Sequence, residues 1–319
     1  MAWLTSWQSF AVTLGIALLA WLYWRTGRSP IAWLEFQVGL GKSVNELARR
    51  LQIDPDVLRS AVPSYREHFI PKKRGGRRRL LIPDADTKAI QRRVLRRLLA
   101  RLRAHPAAKA YERGMSIVEN ARPHVGKAVV IKLDLVDFFP SLLAERVDRY
   151  FRFIGWDREA AALLTRLCTD EECLPQGAPT SPRLSNLLMI GFDHALTRFV
   201  ETRRGAYTRY ADDITISFPK DYPRRIRGVV QFVERLARGH GLTVHRGAKR
   251  AILRQHQQQR VTGLVVNEKL QLPRRVRREL RAVAHHLEMG RRATLSLVQL
   301  KGWRALEKMI VSGSSAGER

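Results

Sequence analysis

Cysteine is almost absent from this chain of 319 residues. Its two cysteines, Cys168 and Cys173, are too few for a disulfide framework. No second cysteine pair or histidine pair lies near them, so their spacing does not make a zinc site either. We therefore predict that both are free thiols in a reducing cytosol.

Acidic residues are also scarce relative to basic ones. The chain has 29 Asp and Glu against 58 Lys and Arg, which gives a net charge of +29. Such an excess predicts a polyanionic partner, nucleic acid first and an anionic membrane second. Dense basic runs lie at residues 72–79 and 92–103, and the second run carries apolar residues at helical spacing. It is therefore predicted to be a helix with a cationic outer face.

Charged residues are missing altogether between residues 3 and 24. A transmembrane helix needs about 20 mostly apolar residues, and this stretch is long enough. Aromatic residues stand at both of its ends, and Arg25 and Arg28 follow it. The positive-inside rule then predicts a single-pass anchor, residues 1–28, with the N-terminus outside and everything after Arg25 in the cytoplasm.

Two other interpretations of residues 3–24 compete with the anchor. A cleaved signal peptide would need a positively charged start and a small-x-small cleavage site, and neither is present. A buried or dimerising helix stays open, because several Ser, Thr and Gln residues dilute the first half of the stretch.

Three aspartates form the pattern that points most directly to chemistry. Asp212 and Asp213 lie between an aromatic run and an alternating strand, which predicts a tight hairpin turn. Alone, this pair could be two solvated acids in a loop. Asp134, however, closes the apolar, β-branched stretch 128–134, where an acid is costly unless it has a function. Together the three could hold two Mg²⁺ ions about 3.5–4 Å apart, the arrangement that polymerases use for in-line phosphoryl transfer.

Three longer motifs extend this pattern. They are LDLVDFFP at residues 133–140, LPQGAPTSP at 174–182 and YADD at 210–213. In this order and separation they resemble the palm of bacterial reverse transcriptases of the retron family. The resemblance runs from about Tyr65 to Leu306. It implies an α+β right-hand polymerase with fingers, palm and thumb and an antiparallel palm sheet, here preceded by one transmembrane helix.

The resemblance also suggests how the chain is divided. After the anchor, residues 29–64 have the composition of a small helical region, in which Ser43 and Glu46 form a capping-box pattern. Fingers and palm are expected over residues 65–270 and a helical thumb over 271–310. The Ser- and Gly-rich tail, 311–319, is predicted to be disordered.

Catalytic and nucleotide-binding roles follow from the matched motifs. Asp134, Asp212 and Asp213 resemble the metal-binding triad. Phe139 occupies the position of the steric gate that selects deoxynucleotides, although Phe139 could pack in the core, or Phe138 could be the ring that faces it. Gln176 and Gly177 resemble the loop that lines the incoming nucleotide, while the Pro-Thr-Ser-Pro string could also simply start a helix.

Basic residues are predicted to contact the triphosphate. Residues 70–83 resemble the fingers hairpin, with Gly75-Gly76 as its turn, and Lys73 and Arg79 would then reach the phosphates. Lys249 stands where the family has a lysine able to protonate departing pyrophosphate. Its surroundings depart from the usual Asn-x-x-Lys-Thr pattern, so an ordinary exposed lysine is the alternative.

Two short signatures point to retrons among bacterial reverse transcriptases. Asn120 and His124 fit the NAxxH signature. Val261, Thr262 and Gly263 fit the VTG signature, which in retrons contacts the structured RNA. The resemblance thus assigns all five to RNA binding. The alternatives are a packed histidine and an ordinary turn.

The function implied by the resemblance is that of an RNA-directed DNA polymerase. In this family the enzyme uses dNTPs to reverse transcribe part of a cognate structured non-coding RNA. Priming from a guanosine 2′-hydroxyl gives a branched RNA–DNA hybrid, msDNA, and retrons act in anti-phage defence with a separate effector protein.

Three other functions compete with this one. A mobile-intron reverse transcriptase would continue past the thumb, whereas this chain ends at Arg319. An inactive, membrane-tethered RNA-binding protein would not need three clustered acids. A membrane-disrupting effector regulated by its polymerase part stays open, because one spanning helix does not distinguish an anchor from a toxin.

Overall fold

The computed structural model describes residues 41–72 and 75–312. Two compact units are formed from alternating segments of the chain. The first unit comprises the described part of Met1–Arg101 together with Leu142–Ser181, and the second comprises Leu102–Ser141 and the described part of Pro182–Arg319. The segment 65–270, which is predicted to form fingers and palm, therefore contributes to both units.

Helices combined with antiparallel strand pairs are typical of an α+β protein. In chain order the α-helices are α1 (Val44–Leu51), α2 (Pro55–Ser60), α3 (Ala85–Arg97), α4 (Ile117–Ala121), α5 (Ala144–Phe153), α6 (Arg158–Cys168), α7 (Ser181–Leu188), α8 (Ile190–Glu201), α9 (Pro223–Gly239), α10 (Arg274–Glu288) and α11 (Leu297–Ser312). The strands are β1 (Tyr65–Pro71), β2 (Arg77–Pro83), β3 (Val129–Asp134), β4 (Ala206–Tyr210), β5 (Asp213–Phe218), β6 (Ala251–Arg254), β7 (Arg260–Val261) and β8 (Leu264–Val265). Single turns of 3-10 helix lie at Leu99–Arg101, Arg122–His124 and Gly247–Lys249.

The first unit joins a hairpin to a group of helices. Strands β1 and β2 pair antiparallel, as expected of the predicted hairpin. Gly75 and Gly76 both have positive φ, 88° and 82°, which glycine adopts without steric cost. At the start of α1 the Ser43 hydroxyl accepts a hydrogen bond from the Glu46 backbone N–H at 3.5 Å, in the predicted capping position.

The helices of the first unit bury their apolar faces against one another. Helix α1 packs on α3 and α6, and α5 packs on α6. The buried side chains that fill these contacts are Leu47, Leu51, Val94, Val147, Phe151, Leu164 and Leu167. Their helical spacing explains why short helices are stable here, since burial of an apolar face stabilises them more than intrinsic propensity does.

The second unit is built on an antiparallel sheet with strand order β4-β5-β3-β6. Strand β3 lies inside the sheet and is rich in Val and Ile, as expected for a strand covered on both faces. Strand β5 alternates apolar and polar residues, yet Thr215 and Ser217 are as buried as Ile214 and Ile216. Its polar face therefore needs polar partners inside the protein.

Helices α10 and α11 occupy the segment predicted to be a helical thumb. They share a hydrophobic cluster with α4, β3 and the β7–β8 hairpin. Its buried members are Val118, Ala121, Val130, Val261, Leu264, Val266, Leu272, Leu280, Val283, Leu300 and Ile310. The cluster thus ties the two C-terminal helices to the strand that ends in Asp134.

The predicted membrane anchor lies outside the described residues, as does the tail from residue 313. Within residues 41–72 and 75–312, no helix combines the length and the apolar character needed to span a bilayer.

Candidate active site

The pairing of β3 with β5 brings the three predicted catalytic aspartates together. Asp134 ends β3 and stands directly opposite Asp213, the first residue of β5. Asp212 lies in the β4–β5 turn, and its carbonyl accepts a hydrogen bond from the Leu135 N–H at 3.1 Å. The hairpin turn and the strand-ending acid, which were predicted separately, therefore meet at one end of the sheet.

The three carboxylates repel one another in a partly desolvated place. Burial, followed by the nearby Asp134, raises the pKa of Asp212 to about 6. Burial also raises the pKa of Asp213, and Asp134 adds to that effect. Such a site favours the arrival of positive charge, which would relieve the repulsion.

Two basic side chains face Asp134. Lys249 donates a hydrogen bond from Nζ to Asp134 Oδ2 at 2.7 Å. His245 Nε2 lies 3.5 Å from the same oxygen, and its backbone N–H donates to the Asp134 carbonyl at 2.7 Å. Lys249 is thus an active-site neighbour of the triad, although an ordinary exposed lysine was the alternative.

The donor set fits a divalent cation. Hard carboxylate oxygens are the ligands that Mg²⁺ prefers, and the Lys249 ammonium supplies the positive charge that they need in this structure. Among the described residues, no three His, Cys, Asp or Glu side chains are already gathered closely enough to hold a metal ion. Lys249 contacts only Oδ2 of Asp134, so a cation bound there would compete with Lys249 for that oxygen or use Oδ1.

Arg209 supports the aspartate turn from inside the protein. Its guanidinium binds both oxygens of Asp193, at 2.8 and 2.6 Å, and both side chains are fully buried. Its Nη1 also donates to Asn186 Oδ1 at 3.1 Å and to the Ala211 carbonyl at 3.0 Å. Ala211 has a φ of 59°, which an alanine adopts only at a steric cost. Arg209 therefore holds a strained residue directly before Asp212.

Tyr207 completes this internal network. Its hydroxyl donates to Asp193 Oδ1 at 2.6 Å. Burial and the Asp193 carboxylate raise the pKa of Tyr207 well above its ordinary value, so the hydroxyl keeps its proton. The buried carboxylate of Asp193 thereby receives three hydrogen bonds from β4, one from Tyr207 and two from Arg209.

His124 provides the polar partner that the hairpin strands need. It is fully buried, and its ring lies 2.7 Å from Ser217 Oγ through Nδ1 and 2.8 Å from Thr208 Oγ1 through Nε2. The Thr208 hydroxyl donates its own proton to the Asn120 carbonyl at 3.2 Å. The Thr208 oxygen must therefore accept a hydrogen bond from the Nε2–H of His124. Ser217 then donates to Nδ1. Burial lowers the pKa of His124 to about 3, in agreement with a neutral ring that joins β4 to β5.

The NAxxH and VTG strings contact each other. Asn120 Nδ2 donates to Thr262 Oγ1 at 3.4 Å, and the Thr262 hydroxyl donates to the Ile117 carbonyl at 3.0 Å. Asn120 and Val261 are buried, whereas Gly263 is exposed in the β7–β8 turn. Of the five residues predicted to bind RNA, Gly263 thus has the most accessible position, while Asn120 and His124 have the contacts of core residues.

The two neighbouring phenylalanines after β3 have different surroundings. Phe138 is buried, and the Arg209 guanidinium carbon lies 5.9 Å from the centre of its ring. Phe139 is partly exposed, with its ring 5.5 Å from that of Phe138 and 6.5 Å from that of Tyr111. Phe138 is therefore the ring that faces the core, and Phe139 is the accessible one. The steric-gate role of Phe139 stays a prediction.

The other predicted nucleotide-binding residues belong to the first unit, except Lys73, which lies outside the described residues. Arg79 binds Glu67 at 2.7 Å and Glu171 at 2.9 Å, so a triphosphate would have to compete with both carboxylates. The Gln176 carbonyl accepts from the Leu81 N–H at 2.8 Å. At Gly177, φ is 136° and an added Cβ would lie 2.6 Å from the Leu81 carbonyl oxygen, so the loop needs glycine to pack on β2.

Several residues of the site were not predicted. Arg209, Asp193, Tyr207 and His245 all act on the aspartates or on their turn. Arg209 directly precedes the YADD string, and a basic residue inside a buried strand signals a buried partner. No comparable signal marks Asp193 or His245, because their partners are distant in sequence.

Comparison with known proteins agrees with this geometry. Residues 70–266 match the family model described as reverse transcriptase (RNA-dependent DNA polymerase). The chain therefore belongs to the reverse transcriptases and is an RNA-directed DNA polymerase.

Within that class, the chain is a member of the retron reverse transcriptases. It is 33% identical to the retron Ec86 reverse transcriptase of Escherichia coli, with 82% of each chain covered. It is 35% identical to the retron Mx65 enzyme of Myxococcus xanthus, over 90% of this chain and 69% of that protein. The retron Mx162 enzyme of the same organism is 37% identical over 77% of this chain and 57% of its own length. A solved telomerase of Candida albicans, in complex with a telomeric RNA fragment, aligns with 72% of this chain and 48% of its own at 12% identity and a TM-score of 0.49, too distant to carry an argument.

Proposed function

We propose that this enzyme reverse transcribes part of a cognate structured RNA into a branched RNA–DNA hybrid, msDNA, primed from a guanosine 2′-hydroxyl. The observation that carries the catalytic part is the register of Asp134 opposite Asp213, with Asp212 in the adjoining turn. The retron relatives support the RNA part of the proposal.

Asp134, Asp212 and Asp213 would hold Mg²⁺, as two ions in the polymerase arrangement. When bound, Mg²⁺ supplies positive charge to the attacking hydroxyl and to the leaving pyrophosphate. Lys249 donates a hydrogen bond to Asp134 Oδ2 at 2.7 Å and is therefore a proton donor beside the triad, which supports the role suggested for it by the family. The ring of Phe139 would exclude a ribose 2′-hydroxyl.

The NAxxH and VTG signatures would serve RNA binding in two different ways. The exposed turn at Gly263 offers backbone groups for direct contact with RNA. Asn120 and His124 are buried and would act by holding that turn and the β4–β5 hairpin in place. This division keeps both signatures in one function without requiring a buried histidine to reach RNA.

The experiment is to isolate the full chain from cells carrying its native locus and to treat the bound nucleic acid with RNase and DNase separately. We expect a discrete single-stranded DNA joined to RNA, which is absent when Asp212 and Asp213 are both replaced by Asn. Bound RNA without DNA, under conditions in which the wild-type enzyme extends a primer, would contradict msDNA synthesis.

We also propose, from the sequence, that residues 3–24 anchor the enzyme in the inner membrane and that it acts there with an effector protein in anti-phage defence. The uncharged stretch followed by Arg25 and Arg28 supports this. Deletion of residues 1–28 should move the protein to the soluble fraction and abolish defence while primer extension continues. Defence that survives the deletion would contradict a role for the anchor.

A further inference from the structure

A concave pocket of about 490 Å³ in the first unit is lined almost entirely by arginine. Its lining residues are Gln52, Arg93, Arg96, Arg97 and Arg101. Three of these arginines lie on α3 at spacings of three and four residues, so they share one face of the helix. The fourth ends the 3-10 turn that follows α3.

Two of the arginines are held in place by the C-terminal end of α1. Arg93 Nη1 donates to the Gln52 carbonyl at 2.7 Å. Arg97 donates to Gln52 Oε1 at 2.5 Å and to the Arg50 carbonyl at 3.4 Å. The end of a helix carries partial negative charge, which favours cations there. A guanidinium has five N–H donors, so both groups keep donors for a ligand.

The pocket lacks acidic partners. None of its four arginines makes an ion pair with any residue in the described ranges 41–72 and 75–312. All four are exposed. By contrast, Arg59 and Arg79 of the same unit both bind carboxylates. Four like charges gathered without counter-charge repel one another, and an anion would relieve that repulsion.

We propose that this arginine pocket binds the phosphate backbone of the structured RNA partner, through residues that the aspartate site does not use. The proposal rests on the RNA-binding function proposed above. Guanidinium groups bind phosphate oxygens in a bidentate way, and preorganised groups lose less entropy on binding. A concave pocket fits a folded strand better than it fits the flat surface of a membrane. Such contacts position RNA without reading its sequence.

The alternative is that the arginines only stabilise the end of α1. A variant that removes charge from the pocket without breaking the contacts to α1 distinguishes RNA binding from this structural role. Arg96 and Arg101 make no hydrogen bond to α1 in the described structure, so R96Q/R101Q removes pocket charge without touching those contacts. The matched control is R92Q/R103Q. It removes the same charge from the same basic run, at exposed arginines that do not line the pocket.

The test is the salt dependence of RNA binding by the full chain, with a labelled RNA hairpin carrying a single-stranded tail as the probe. For R96Q/R101Q we expect the slope of log affinity against log salt to become shallower by about 1.5–2, the loss of two phosphate contacts. The control should keep a slope near that of the wild type. Equal slopes for the two variants would contradict the proposal. They would show that RNA binding depends on the total positive charge and not on the arginines of the pocket.

Two further readouts keep the outcomes distinct. R96Q/R101Q should extend a DNA primer on a short RNA template as the wild type does, since the pocket is not part of the aspartate site. If the wild type binds RNA through the pocket but makes no msDNA, the proposed function fails and the pocket stands. If R96Q/R101Q weakens binding to vesicles of anionic phospholipid and leaves RNA binding unchanged, the RNA proposal is overturned in favour of a membrane contact.

Discussion

Arg209 and Arg96 carry the same guanidinium group in opposite surroundings. Arg209 is fully buried and directs its donors to Asp193, Asn186 and the Ala211 carbonyl. Arg96 is exposed, and its Nε donates a hydrogen bond to the Arg92 carbonyl of its own helix at 3.2 Å. The first arginine organises the catalytic turn, and the second presents charge to a ligand. The net charge of +29 therefore includes arginines with unrelated tasks.

The largest effect is expected at Arg209. Replacing it by Gln leaves the buried Asp193 without its counter-charge, which should cost about 3–5 kcal/mol in the free energy of unfolding. Urea unfolding measures this loss. R209K should also be destabilised, because lysine does not reproduce the bidentate contact.

A second variant separates charge burial from simple packing. R209M/D193L removes both charges and should be more stable than R209Q, because no unpaired charge remains buried. If R209Q unfolds at the same urea concentration as the wild type, the internal role of Arg209 is wrong.

His124 should make stability depend on pH. Its pKa is about 3 in the folded protein and near 6.5 when unfolded, so the unfolded state binds more protons between these values. Its contribution is complete above about pH 6.5 and is lost as the pH falls toward 3, by up to about 1.4 kcal/mol per pH unit. Urea unfolding at several pH values, compared between the wild type and H124N, measures this slope.

The exposed His68 is the control for that slope. H68N should keep the pH dependence of the wild type, whereas H124N should lose part of it. A slope that is unchanged in H124N would mean that His124 is not held neutral in the folded protein.

A smaller effect is expected at Thr262, where the two retron signatures meet. T262A removes the hydroxyl that accepts from Asn120 and donates to Ile117, at a cost of about 1 kcal/mol. T262S keeps that hydroxyl and should stay near the wild type in thermal unfolding. Equal losses in both variants would show that the methyl group of Thr262 matters and the hydrogen bonds do not.

The smallest effect on stability is expected in the arginine pocket. R96Q/R101Q should change the free energy of unfolding by no more than about 0.5 kcal/mol, as is usual for exposed positions. If R96Q/R101Q lost as much free energy of unfolding as R209Q, the exposed arginines would be as important for stability as the buried one, which would contradict their different roles.

Much of the catalytic region follows from local sequence patterns. The strand that ends in Asp134, the hairpin with Asp212 and Asp213, and the Gly75-Gly76 turn each have a signal within a few residues. The partners of these elements do not. Asp193 is 16 residues from Arg209 in sequence, and Ser217 is 93 residues from His124. Such contacts depend on how the sheet and helices pack, which no local pattern encodes.

The polar face of β5 shows the same limit. Alternating Ile and Thr or Ser residues are typical of a strand with one face in water, but both faces are buried here. His124 makes this possible, because its ring nitrogens satisfy hydroxyls on two strands at once. The NAxxH string gives no local sign of this contact: its histidine joins β4 to β5, and its role in RNA binding stays a prediction.

Single-nucleotide incorporation by D213N and D137N on one primer–template tests the aspartate site most directly. Both variants remove one carboxylate, but Asp213 faces Asp134 across the sheet, whereas Asp137 is exposed three residues beyond β3. We predict that D213N loses about 100-fold or more in rate, while D137N stays within a few-fold of the wild type. Near-normal incorporation by D213N, or an equal loss in D137N, would contradict the assignment of the aspartate site.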